Sequence, residues 1–311
     1  MKIYDAHQDI AANIQLVTGK NFFKKNLINE CYIKSKYNCV NQVDYPRLLS
    51  GKVKLVFATI FAQTEKQALG QFAIYKKIIK QSNGKIIPIL SNSDLSKLSD
   101  NKKIGFLFNM EGALPIENKG NFDKFYKLGL RSLGIVWRGK NKYVSDNKLS
   151  KEGIILLKKI ERKKIILDLA HTSEPLFWDI TNRFERPFII SHTACSAVFN
   201  NERNISDRQI LEVKKRKGLI GIAGVNLLVG GTKIKNIINN IKHVAKISSI
   251  NNICLGSDFD GMVNPKLSLI KNFEDVSCYP NLINKLNLSF RKPGVQKIAY
   301  RNLFNFIKKT L

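Results

Sequence analysis

Residues 164–171 read KIILDLAH and residues 187–192 read PFIISH. Each is a near-continuous apolar run, rich in isoleucine, that stops on a polar residue followed closely by a histidine. Such runs fit strands covered on both faces, the environment of a parallel sheet wrapped by helices. Working outward, similar runs occupy 2–6, 53–62, 104–110, 130–136, 219–224 and 252–256, which with 164–169 and 187–191 gives eight predicted strands. Helical periodicity fills most gaps, at 65–81, 121–127, 151–162, 206–217 and 233–246, the fourth opening on Ser206 as N-cap and closing on Gly218. This alternation predicts an α/β fold, a single (β/α)8 TIM-type barrel. With no proline- or glycine-rich linker and no fixed-period repeat, 1–311 reads as one domain. The apolar run at 86–90 is a minor strand, 264–291 reads as a long loop or lid, and 294–309 as a C-terminal helix.

The 311-residue chain is 44% hydrophobic and 24% charged at a mean hydropathy of −0.17, which excludes a disordered or fibrous chain. Its charge is unusual, because 52 Lys and Arg against 24 Asp and Glu give +28. The basic residues are scattered in short clusters, several at predicted helix C-termini where cations complement the helix dipole, and no motif with interleaved aromatics accompanies them. Specific nucleic-acid binding is therefore not expected. Cys31, Cys39, Cys195, Cys254 and Cys278 are odd in number and form no CxxC pair, so free thiols in a reducing, cytoplasmic setting are expected. The opening MKIYDAHQDI contains no apolar signal-like segment, and no apolar run reaches the length of about 18 residues that a membrane span needs.

In such a barrel, function collects at the C-terminal ends of the strands. Those ends carry His7-Gln8-Asp9, Glu111-Gly112, Asp168 to His171, Ser191-His192 and Asp258-Phe259-Asp260-Gly261. His7 and Asp9, two apart on extended chain, address one point while Gln8 faces away. The chain has only four histidines, and three of them close strands beside carboxylates. Imidazole and carboxylate ligands together suit zinc or a neighbouring divalent ion. Two such half-sites sharing one carboxylate form a two-metal centre, with ions about 3.5 to 4 Å apart, that activates a bridging water and polarises a carbonyl. His243, within a helix among Ile241, Val244 and Ile247, reads as structural. The DFDG stretch lacks the other ligands of a calcium loop. No GxSxG, P-loop or GxGxxG motif supports a serine hydrolase or a nucleotide enzyme.

In order along nearly the whole chain, His7-Gln8-Asp9, NMEGA with Glu111, DLAHTS with His171, ISHTACSAV with His192, Arg203-Asn204, and GSDFDG followed by EDVSCYPNLI resemble the zinc-dependent membrane or renal dipeptidases, a branch of the amidohydrolase-like metal barrels. The resemblance implies two zinc ions, or other divalent metals, with His7 and Asp9 on one, His171 and His192 on the other, and Glu111 bridging them around a nucleophilic hydroxide. It implies that Arg203 grips the substrate carboxylate or the developing oxyanion. Asp258 would hold the substrate's free amine and shuttle the proton to the leaving nitrogen. A carboxylate and an arginine facing each other across the metals would measure a dipeptide, L,L or L,D, by its two charges. The sequence departs from the pattern in two places: Trp137 stands where better-known members carry a substrate-contacting histidine, and Arg301 replaces the usual glycine of a C-terminal helix. The mammalian relatives' secretory signal and lipid-anchor tail are not seen, which fits an intracellular form without a membrane anchor, and homodimerisation is implied by the resemblance alone. The alternatives are another metal barrel enzyme, a lactonase or amidase on a non-peptide substrate, and a non-catalytic binding protein using the basic surface.

Overall fold

The computed structural model describes residues 1–16, 20–28, 40–100, 102–261 and 269–311. Eight parallel strands close into a barrel: β1 (Ile3–Gln8), β2 (Val53–Phe61), β3 (Ile104–Glu111), β4 (Leu130–Gly134), β5 (Ile166–Asp168), β6 (Ile189–Thr193), β7 (Leu219–Ile222) and β8 (Ile253–Leu255). Each strand pairs with the next in sequence, and β8 returns to β1 with Leu255 opposite Asp5. The longest register joins β2 to β3, from Leu55 opposite Gly105 to Phe61 opposite Glu111. The minor strand is real but short: Ile86–Pro88 lies outside the ring and pairs with Ile104 to Phe106, the part of β3 that β4 leaves free.

Local signals place the larger helices where periodicity predicts them. In Lys151–Arg162 the Ser150 hydroxyl accepts the Gly153 N–H, Lys159 and Arg162 occupy the last turn, and Gly153, Leu156, Leu157 and Ile160 form the buried stripe. Ser206 caps Asp207–Lys215 as expected, but that helix ends differently, with Lys217 rather than Gly218 in the left-handed conformation (φ 54°). Gly218 is required for another reason, since a Cβ there would lie 2.5 Å from the Phe188 carbonyl oxygen.

The expectation of a loop or lid over 264–291 needs correction. Residues 262–268 fall outside the described residues, but Val276–Cys278 forms a 3-10 turn and Tyr279–Asn287 an α-helix burying Tyr279, Leu282, Ile283 and Leu286. Its apolar stripe is only those four residues, too short to stand out among asparagines and lysines. The C-terminal helix starts at Lys292, widens to a π-helix over Lys297–Arg301 and continues as Asn302–Thr310. The short helices Ile10–Leu16, Tyr45–Ser50 and Glu174–Thr181 went unpredicted because two turns carry little periodic signal.

Two packed layers fix the barrel. Most apolar side chains join one cluster between strands and helices. A second gathers Tyr4, Leu55, Phe57, Leu107, Ile166 and Ile189 with Leu303, Phe306 and Ile307, so the C-terminal helix packs against residues from several strands. Near the other end, Gly221 and Gly256 approach Ser191 so closely that a Cβ on either would sit within 2 Å of the Ser191 carbonyl oxygen, at 1.9 and 1.8 Å. Cys195, Cys254 and Cys278 are free thiols, while Cys31 and Cys39 lie outside the described residues. Among the described residues no helix is long and apolar enough to cross a membrane. Gly221→Ala is expected to destabilise the fold by about 1–3 kcal/mol through overpacking, read as a lower midpoint in chemical denaturation.

Candidate metal centre and active site

The ends of β1, β3, β5 and β6 bring three imidazoles to one carboxylate. His7 Nε2 lies 3.3 Å from Asp9 Oδ2 and 3.7 Å from Glu111 Oε2. The other Glu111 oxygen, Oε1, lies 2.6 Å from His171 Nε2 and 3.5 Å from His192 Nε2, and those two nitrogens are 2.8 Å apart. Each carboxylate oxygen therefore faces its own set of ring nitrogens. His7, His192, Asp9 and Glu111 are buried, and His171 is nearly so. Three of the residues around the site sit in the left-handed region, His171 (φ 67°), Asp258 (φ 64°) and Asp260 (φ 65°), a backbone cost that recurs at functional sites.

The electrostatics are those of a cation site. Burial disfavours a charged His7, yet the Asp9 and Glu111 carboxylates outweigh it and carry the imidazole up to about 10. Burial, with the positive charges of Arg203 and His7, holds His171 and His192 far below the ordinary imidazole range. His171 and His192 are thus held neutral, as ligands of a divalent ion must be, whereas His7 carries a proton that such an ion would displace. Among the described residues, the buried His7 Nε2 and Asp9 Oδ1 have no hydrogen-bond partner, as atoms reserved for a ligand would not. The ligand atoms of His7, Glu111 and His192 lie within 4.8 Å of one another, as do those of His7, Asp9 and Asp258. Nitrogen and oxygen donors in this arrangement fit zinc or a similar divalent metal.

Supporting residues to which the sequence reading gave no role orient these groups. The Ser191 hydroxyl lies between His192 Nδ1 at 3.0 Å and His7 Nδ1 at 3.3 Å. Asp168 Oδ1 accepts the Ala170 and Ser191 N–H groups, both at 3.0 Å, tying the end of β5 to β6. The buried Asp5 accepts from the Ser257 hydroxyl, the Tyr279 hydroxyl and Gln8 Nε2, each at 2.6 Å, so Gln8 turns away from the cluster as expected. Asp260 holds a buried ion pair with Lys20 at 2.8 Å and accepts the Gln42 N–H at 2.6 Å. The alternation Asp5-His7-Asp9 was a readable signal for a polar strand end; the partners across the barrel were not.

The substrate-side residues converge as well. Arg203 reaches to 3.3 Å from His192 Nε2, and Asp258 Oδ1 lies 3.9 Å from His7 Nε2. Burial pushes the Asp258 carboxyl well above the ordinary range. The Trp137 ring stands 4.8 Å from that of Phe61 and 6.1 Å from that of His171. Gly112 admits it, since a Cβ there would lie 3.2 Å from that of Trp137. A space of about 490 Å³ is lined by Trp137, His171 and Arg203 among others, and one of about 80 Å³ by Asp9, Glu111, Trp137, His171 and Asp258. All eight sequence-predicted site residues therefore surround one region. His243 instead bonds Asp207 at 2.6 Å between two helices, in keeping with a structural role.

Histidine and carboxylate side chains gathered at the mouth of a (β/α)8 barrel make a candidate centre for a divalent metal. The chain belongs to the membrane dipeptidase family, peptidase family M19, whose family model matches residues 1–310, and it is a metallo-dipeptidase of that family. It is 27% identical over 259 residues to an uncharacterised protein in the pqqA 5′ region of Klebsiella pneumoniae, covering 76% of this chain and 94% of that one. It is 24% identical over 296 residues to dipeptidase tcpJ of Claviceps purpurea, covering 86% and 69%. Its fold matches a metallo peptidase from Rhodobacter sphaeroides liganded with a phosphinate mimic of the dipeptide L-Ala-D-Ala, with a TM-score of 0.84 at 19% identity over 100% and 99% of the two chains. An M19 dipeptidase structure, dipeptidase AC, matches with the same score over 100% and 98% at 19% identity. Ser191→Ala is expected to weaken metal binding by about 10- to 100-fold with the fold retained, as measured by competition with a chelator and by circular dichroism.

Proposed function

We propose that the chain is a dinuclear zinc dipeptidase cleaving L,L and L,D dipeptides. The observation carrying this reading is that the two oxygens of Glu111 face separate groups of imidazole nitrogens, His7 on one side and His171 with His192 on the other. His7 and Asp9 would hold one ion, His171 and His192 the second, and Glu111 would bridge them. When bound, the ions would supply Lewis acidity toward the scissile carbonyl and would ease deprotonation of the attacking water.

The chain's own residues do the rest. Arg203 is a fixed cation beside His192, positioned to receive the substrate carboxylate or the charge that develops on the carbonyl oxygen. Asp258, buried and close to His7, holds the substrate ammonium. As water adds to the carbonyl carbon, Asp258 takes its proton and delivers it to the amide nitrogen while the C–N bond breaks. A tripeptide puts one terminal charge out of reach of this pair. Trp137 replaces a hydrogen-bonding imidazole with an apolar wall between the two spaces of the site.

Zinc-reconstituted protein is expected to hydrolyse dipeptides, leave a tripeptide intact and leave simple lactones untouched, as followed by amine release. Asp258→Asn is expected to lower kcat/KM by about 10²- to 10⁴-fold. His171→Ala is expected to bind fewer than two ions per chain by elemental analysis. Absence of turnover on every dipeptide by metal-loaded protein would refute the assignment.

A further inference from the structure

We propose that the site selects dipeptides with an acidic second residue, with Arg138 reading that side chain. This rests on the dipeptidase reading above. Of the two spaces at the site, the one of about 80 Å³ is lined by the candidate ligands Asp9, Glu111 and His171 themselves, and the one of about 490 Å³ opens beside it, with Trp137 and His171 lining both. The small one contains Asp258, the group assigned to the substrate ammonium, together with the apolar walls Ala12, Leu16 and Phe61. The large one contains Arg203, assigned to the carboxylate. A dipeptide laid from Asp258 to Arg203 therefore points its second side chain toward the large space.

The walls of the large space mix apolar Val136, Val144 and Leu176 with the charged side chains Arg138, Lys140, Asp146, Glu202 and Arg203. Lys140 is engaged by Asp146 at 2.7 Å, and Arg203 is committed to the main-chain carboxylate. That leaves Arg138 and Glu202. Arg138 is ordered by its neighbour, its guanidinium lying 5.1 Å from the centre of the Trp137 ring, and it has no carboxylate partner among the described residues. No ordering contact of that kind holds Glu202. The field of the whole chain, at +28, also favours a ligand of net negative charge. A dipeptide with neutral side chains is a zwitterion, whereas one with an acidic second residue carries the extra charge that Arg138 can bind through a forked, charge-assisted pair.

The test compares kcat/KM for L-Ala-L-Glu with its uncharged isostere L-Ala-L-Gln, the same pair with D-residues second, and the reversed dipeptide L-Glu-L-Ala. The acidic member is expected to exceed its amide by about tenfold or more, and the reversed sequence to be the poorest. In Arg138→Gln the Glu-to-Gln ratio should fall to within about twofold, and in Glu202→Gln it should rise. Binding to metal-free protein, read through Trp137 fluorescence in a Trp178→Phe background, should show the same ratios without turnover. Equal rates for the acid and the amide, a preference for L-Ala-L-Lys, or a ratio that survives Arg138→Gln would overturn the selectivity while leaving the dipeptidase assignment standing. Failure of every dipeptide, neutral ones included, would overturn both.

Discussion

One buried carboxylate, Glu111, faces three imidazoles at the mouth of the barrel, and much of the surrounding structure exists to make that arrangement tolerable. Crowding His7, His171 and His192 together with Asp9 and Glu111 away from water is unfavourable unless a cation neutralises the acids and uses the nitrogen lone pairs. The barrel supplies the rigidity this needs. β1, β3, β5 and β6 each contribute one or two of the groups, and none of those strands can shift without moving its neighbours.

Around the cluster lies a layer of polar residues whose role is orientation. Ser191 fixes two imidazoles at once, Asp168 ties the adjacent strand ends, and Asp5 joins β1 to the Ser257 turn and to the helix beginning at Tyr279. The Lys20–Asp260 pair links the segment after β1 to the turn that carries Asp258. Close packing supports the same groups, since Gly221 and Gly256 leave space for the Ser191 backbone and Gly112 leaves space for Trp137. The candidate ligands lie at strand ends, while Trp137 and Arg138 lie on the connecting segment that follows β4.

Much of this was legible before any coordinates. Glu65–Gln81 and Lys151–Arg162 match the periodic reading residue for residue, because Thr64 and Ser150 cap them and their buried stripes are several turns long. The strands showed as apolar runs because both faces of each are covered. The candidate ligands showed because polar residues at the ends of such runs have no packing reason to be there. Tyr279–Asn287 and the helices of two turns or fewer stayed hidden, since a stripe of three or four apolar residues is indistinguishable from chance.

The sequence by itself determined the strand-and-helix alternation, the polar strand ends and the chemical types of the ligands, because these follow from local burial and from the period of the chain. Only the tertiary structure decided which groups share a space. Closure of β2 onto β3 sets Glu111 within the reach of His7 from β1 and His171 from beyond β5, groups over a hundred and fifty positions apart at the extremes of the chain segment they span. It likewise decided that Trp137 and His171 line both spaces of the site and that Arg138 lines the larger one. Those facts depend on through-space distances set by barrel closure, which no local pattern encodes.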